Sequence, residues 1–78
     1  MANKIIGIDG NKVYTLRKEK LRISQEKLSE ISGVSRTLIQ RIEMNKVYEC
    51  NLKTLNKLAA ALNVDPMELV DRGEKLNE

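Results

Sequence analysis

Four hydrogen-bonding side chains crowd one short helical stretch. In ISGVSRTLIQRIE, residues 31–43, they are Arg36, Thr37, Gln40 and Arg41. Ile39 and Ile42 mark the buried side of that helix. By the 3.6-residue period Arg36, Thr37 and Gln40 then share the opposite side, with Arg41 between. Such a face is either solvated surface charge or a surface that reads a partner.

The remaining chemistry is sparse. The chain has no histidine, which removes imidazole general bases, Ser/His and Cys/His nucleophile pairs, and zinc sites with histidine ligands. Its carboxylates are scattered among lysines on predicted helix surfaces. An enzyme therefore has no catalytic constellation behind it, and no metal or other cofactor is implied. Cys50 is the one cysteine. It cannot form an internal disulfide, and a small buried hydrophobe is the plain reading of it. A chain this small without a disulfide fits a reducing compartment. The early IIGI run is too short for a signal peptide, and no stretch approaches the ~20 apolar residues of a membrane span. The expected location is cytoplasmic, with no membrane partner.

The net charge of +3 hides an asymmetry. Residues 1–48 carry ten Lys/Arg against five Asp/Glu, whereas residues 49–78 carry four against six. A basic first part points to a polyanionic partner.

The elements that must position these groups follow from caps and periodicity. With 78 residues the chain makes one domain over 1–78. Its core is expected over 11–70, with residues 1–10 as an N-terminal arm and 71–78 as a fraying tail. Ile5, Ile6 and Ile8 suit a short strand, an arm packed on the bundle, or a loose terminus. The first helix is expected over 11–22, with Val13 and Leu16 inward and Asp9 as a candidate cap. Ser24 caps a second helix, with Leu28 and Ile31 inward and Gly33 as its left-handed stop. Ser35 caps the third helix, about 36–44, and Asn45 supplies its left-handed exit. A loop over 45–51 leads to Asn51, which caps a fourth helix with its apolar stripe at Leu52, Leu55, Leu58, Ala59 and Leu62. Asp65-Pro66-Met67-Glu68 reads as a capping box with proline at the first helical position, opening a fifth helix. Five short helices make an all-α, compact five-helix bundle.

Residues 24–43, SQEKLSEISGVSRTLIQRIE, form two short helices around a tight turn at Gly33, with small Ser29 at the crossing. Together with LRKEK and NLKTLNKLAAALNVDPMELV, they resemble the Cro/C1-type, or xenobiotic-response-element-like, helix-turn-helix regulators. These have the lambda-repressor-like fold, and the resemblance spans roughly residues 11–70. It implies a sequence-specific regulator of transcription that places its third helix in the major groove of double-stranded DNA. On that pattern Arg36, Thr37, Gln40 and Arg41 would contact bases. Arg grips guanine O6/N7, Gln pairs with adenine, and the Thr methyl meets a thymine methyl. Gln25, Ser35, Lys46, Asn51 and Arg17 would contact phosphates. The resemblance also implies an ion pair between Arg17 and Glu43, with Lys18 as the other candidate. It implies a homodimer on a pseudo-palindromic operator, with Met67, Val70 and Leu76 at the interface. The IIGI segment is a competing dimer surface.

One departure concerns spacing. The family arginine of the first helix and the glutamine of the second are commonly seven positions apart, whereas Arg17 and Gln25 are eight apart. The alternative functional reading is a protein-interaction module, which would show exposed apolar residues on the third helix; Leu38 and Met44 are its candidates. The chain leaves no room for a sensor domain, so regulation is expected to come from its own concentration or from a partner protein.

Overall fold

The computed structural model describes residues 5–71. Residues 1–4 and 72–78 lie outside that range, and with them the expected interface residue Leu76 and most of the expected tail.

Four helices and a small sheet make the fold. They are β1 (Ile5–Gly7), α1 (Gly10–Thr15), α2 (Gln25–Ser32), α3 (Arg36–Glu43), β2 (Glu49–Asn51) and α4 (Leu52–Leu62). A single 3-10 turn at Pro66–Leu69 closes the described chain. The five-helix, all-α expectation is corrected on two counts. The Asp65 carboxylate accepts from the Met67 amide as expected of a cap, but the helix it opens stops after four residues. Val70 then leaves in an extended conformation and bridges Ile8 in antiparallel fashion. In addition, residues 45–51 are not all loop.

The N-terminal segment is clasped on both sides. β1 pairs antiparallel with β2, placing Ile6 opposite Cys50. On its other side Asp9 donates to the Leu69 carbonyl at 2.8 Å and Asp71 donates to the Gly7 carbonyl at 3.1 Å. Ile6 and Ile8 face the core and Ile5 faces out, as the two-residue period requires.

The core is aliphatic. Val13, Leu28, Ile39, Ile42, Leu55, Leu58, Leu62 and Leu69 are fully buried. Each comes from the apolar stripe of its own element, and α2, α3 and α4 close around them. Ile31 departs from expectation. It is 48% exposed, because the buried face of α2 runs through Leu28 and Ser32, four residues apart, and Ile31 lies to the side of it.

Local chemistry sets the helix ends. Asp9 Oδ1 accepts from the Asn11 and Lys12 amides, so α1 begins one residue earlier than expected, at Gly10. The glycine matters there: a Cβ on it would lie 1.9 Å from the Ile42 carbonyl oxygen. The start of α1 therefore sits directly on the end of α3. Gly33 leaves α2 with φ of 78°, the left-handed exit that closes the turn into α3. Asn45 and Asn63 make left-handed exits at φ of 62° and 63°, which Asn tolerates better than most residues.

After α1 the chain does not break. It widens into a π-helical turn over Leu16–Leu21, with the Arg22 amide donating to the Arg17 carbonyl five residues back. Arg22 itself is left-handed, at φ of 57°. A π turn holds one more residue than an α turn. Across it the Arg17 side chain reaches Glu43, the last residue of α3.

Candidate nucleic-acid interface

The helix pair α2–α3 is fastened by its own polar side chains. Ser24 Oγ accepts from the Lys27 amide at 2.9 Å, and Ser35 Oγ accepts from the Leu38 amide at 3.1 Å. Each satisfies an amide that the first helical turn leaves unpaired. Between them Ser29 Oγ donates to the Val34 carbonyl at 2.7 Å. Ser32 Oγ accepts from the Val34 amide at 3.1 Å. The backbone of buried Val34 is thus held from both sides by α2 hydroxyls. Small size at position 29 suggested close packing from sequence; the hydroxyl bonds of Ser29 and Ser32 had no sequence signal beyond their type.

A buried ionic knot sets the far end of α3. Arg17 donates from Nε to Glu43 Oε2 at 2.7 Å and from Nη2 to Glu43 Oε1 at 2.9 Å. It donates from Nη1 to the Ile23 carbonyl at 2.8 Å. Gln25 Nε2 donates to Glu43 Oε1 at 3.0 Å. The side chains of Arg17 and Glu43 are only 7% and 3% exposed. The hydrogen bond to Glu43, outweighing desolvation, holds the Arg17 guanidinium pKa above its ordinary value. Tyr14 covers the group, with its ring centroid 5.5 Å from Cζ. Four segments meet here: the π turn, the link to α2, the start of α2 and the last residue of α3.

With both ends fixed, α3 turns one face outward. Ile39 and Ile42 are buried and Leu38 packs partly buried against the core. Arg36, Thr37, Gln40 and Arg41 are all exposed. At about 100° per residue these four span an arc of roughly 140°, centred opposite the two isoleucines. Two cations and two neutral hydrogen-bonding groups thus stand together on a rigid element. The structure brings these four residues together.

The other predicted contacts are spread more widely. Ser35 is exposed at the start of α3, and Lys46 is exposed just beyond its end. Gln25 is partly buried, with its amide nitrogen on Glu43. Arg17 is enclosed and directs its donors into the protein, so it serves α3 as a strut rather than offering a surface cation. Asn51 pairs with Ile5 in the sheet, and its Oδ1 accepts from the Thr54 amide at 2.8 Å. That oxygen caps α4. Met67 is exposed on the 3-10 turn, whereas Val70 is partly buried against the core. Arg22 stands exposed at the tip between the π turn and α2.

Known proteins share this arrangement. A helix-turn-helix family model matches residues 13–69. Control protein C.BamHI of Bacillus amyloliquefaciens is 37% identical over 71 residues, covering 91% of this chain and 86% of its own length. Among solved structures, the restriction-modification controller protein C.AhdI from Aeromonas hydrophila is similar with a TM-score of 0.68 and 30% sequence identity. That match covers 76% of this chain and 86% of the other. With a family model spanning most of its length and a relative above one-third identity, the chain belongs to the Cro/C1-type helix-turn-helix family.

Proposed function

We propose that this protein is a sequence-specific, double-stranded DNA-binding regulator of transcription that controls a restriction–modification operon; one relative is named a control protein and the other a restriction-modification controller protein. The observation that carries this reading is the outward face of α3. Arg36, Thr37, Gln40 and Arg41 stand on one exposed arc of a helix whose opposite side is buried. A major groove about 12 Å wide admits such a helix, and the four side chains match the donor and acceptor pattern of base edges. Ser35 and Lys46, at the two ends of α3, are suited to adjacent phosphates, and Gln25 is suited to a third. Arg17 acts through Glu43, by fixing the end of α3.

The regulator acts as a homodimer. One helix of eight residues reads too few base pairs, and two copies about 34 Å apart read both halves of a pseudo-palindromic site. Exposed Met67, with Val70 beside it, is the favoured dimer contact. The protein-interaction alternative finds little support, because Leu38 is packed against the core and Met44 alone is left as a large exposed apolar residue on that side of α3. No helix of the described residues is long and apolar enough to cross a membrane, and the proposed site of action is the cytoplasm.

Selection from a pool of random duplexes tests the reading. An enriched motif with two-fold symmetry is the expected result. Retention without any enriched sequence, disappearing at ~0.2 M salt, would reduce it to backbone attraction.

A further inference from the structure

The π turn carries cations of its own. Lys18 lies in the π turn and Arg22 at its left-handed end, and both are exposed. They line one cleft together with Ile23 and Ser24, beside the enclosed Arg17. Among the described residues no carboxylate lines this cleft. Among the described residues the salt bridges are Arg17–Glu43 and Lys27–Glu30, so neither Lys18 nor Arg22 has an ion-pair partner there. The nearest buried anion, Glu43, already accepts from Arg17 and Gln25. Its charge is matched by the Arg17 guanidinium.

Position gives this cleft a partner. Arg17 ties it to α3: one side of the guanidinium bonds Glu43, the last residue of α3, and the other bonds the carbonyl of Ile23 in the cleft wall. Lys46 follows Glu43 by three residues and is also exposed. Through Arg17 the cations of the π turn therefore lie toward the same end of α3 as Lys46. Arg22 also holds a backbone conformation that glycine adopts far more cheaply, so its side chain and its backbone pull in opposite directions on stability and on binding.

We propose that Lys18 and Arg22 form a phosphate-binding subsite that grips the DNA backbone beside the sequence read by α3. Lys18 in the π turn and Arg22 at its end supply a second, sequence-independent anchor. The subsite rests on the DNA-binding reading above. It adds affinity without base preference, because two cations on a phosphodiester carry no sequence information.

The test is the salt dependence of binding to the selected duplex, for the wild-type chain and for Lys18→Gln, Arg22→Gln, Arg22→Gly and the Lys18/Arg22 double glutamine variant. Lys57→Gln, on the exposed side of α4, serves as a control. Because a dimer carries the subsite twice, each single change is expected to lower the slope of log K against log salt by about 1.8 per duplex, and the double change by about 3.6. Between 50 and 200 mM salt the wild-type dimer then loses roughly 150-fold more affinity than the double variant. The enriched motif stays the same in every variant. Arg22→Gly is expected to raise the melting temperature while weakening DNA binding, a split that a merely structural role for Arg22 does not give. Unchanged slopes in the variants, or an equal fall with Lys57→Gln, overturn the subsite while leaving base reading intact. A wild-type chain that selects no sequence overturns the DNA-binding reading itself.

Discussion

Removing the Glu43 carboxylate is the sharpest perturbation of this fold. Glu43 accepts three hydrogen bonds, two from Arg17 and one from Gln25, in a site where its side chain is 3% exposed. Glu43→Ala leaves a guanidinium enclosed with only the Ile23 carbonyl as acceptor. Breaking one partner of a buried pair costs about 3–5 kcal/mol. A domain of this size has a total stability of about 4–12 kcal/mol, so the single change removes a large part of it. The paired replacement Arg17→Met with Glu43→Leu removes both charges, and apolar side chains of similar volume refill the site. Its cost should be far below the sum of the single changes, giving a coupling of roughly 2 kcal/mol or more in a double-mutant cycle. Urea unfolding followed by far-ultraviolet circular dichroism measures all four corners. Single changes that cost under about 1 kcal/mol each, and add without coupling, would refute the view that this ion pair fixes the end of α3.

Other consequences are narrower. Gly10→Ala should destabilise by about 1–3 kcal/mol or more, even though alanine is the better helix former, because the new methyl meets the backbone of Ile42; chemical denaturation reads it. Gly33→Ala has open space around it, so its cost, about 1–2 kcal/mol, comes from the left-handed backbone alone. Desolvation pushes the Cys50 thiol pKa above its ordinary 9.0. An acid whose folded pKa is raised contributes its stability below the unfolded pKa and loses it as pH climbs from there. Melting temperatures should therefore fall more steeply above pH 9 in the wild type than in Cys50→Ala, and the native thiol should react slowly with a soluble thiol reagent.

Much of this was legible because it is local. Ser24, Ser35, Asn51 and Asp9 cap helices, a choice dictated by unpaired amides one turn away. Ile39 and Ile42 declare the hidden side of α3 by spacing alone, and that fixes which side faces out. The misreadings involve long-range partners. Val70 is drawn into extended pairing with Ile8, and this ends a helix that Asp65 and Pro66 begin well. The IIGI segment gains strand partners from residues 49–51 and from the chain beyond Leu69, more than forty residues away. Ile31 fits the helical stripe of α2, but no neighbouring element covers it. The π turn has no compositional signal in LRKEKL. Its trace in the sequence is the spacing of eight between Arg17 and Gln25, which becomes meaningful only once both are seen on Glu43.

The central claim is that α3 reads bases, and a cycle between side chain and base tests it most directly. Binding of the wild type and Arg36→Ala is measured on the selected duplex and on duplexes with each position of the half-site changed in turn. The account predicts that Arg36→Ala loses discrimination at one base pair per half-site, worth about 1–3 kcal/mol, and keeps it elsewhere. A uniform loss across every duplex, with discrimination unchanged at all positions, would contradict it.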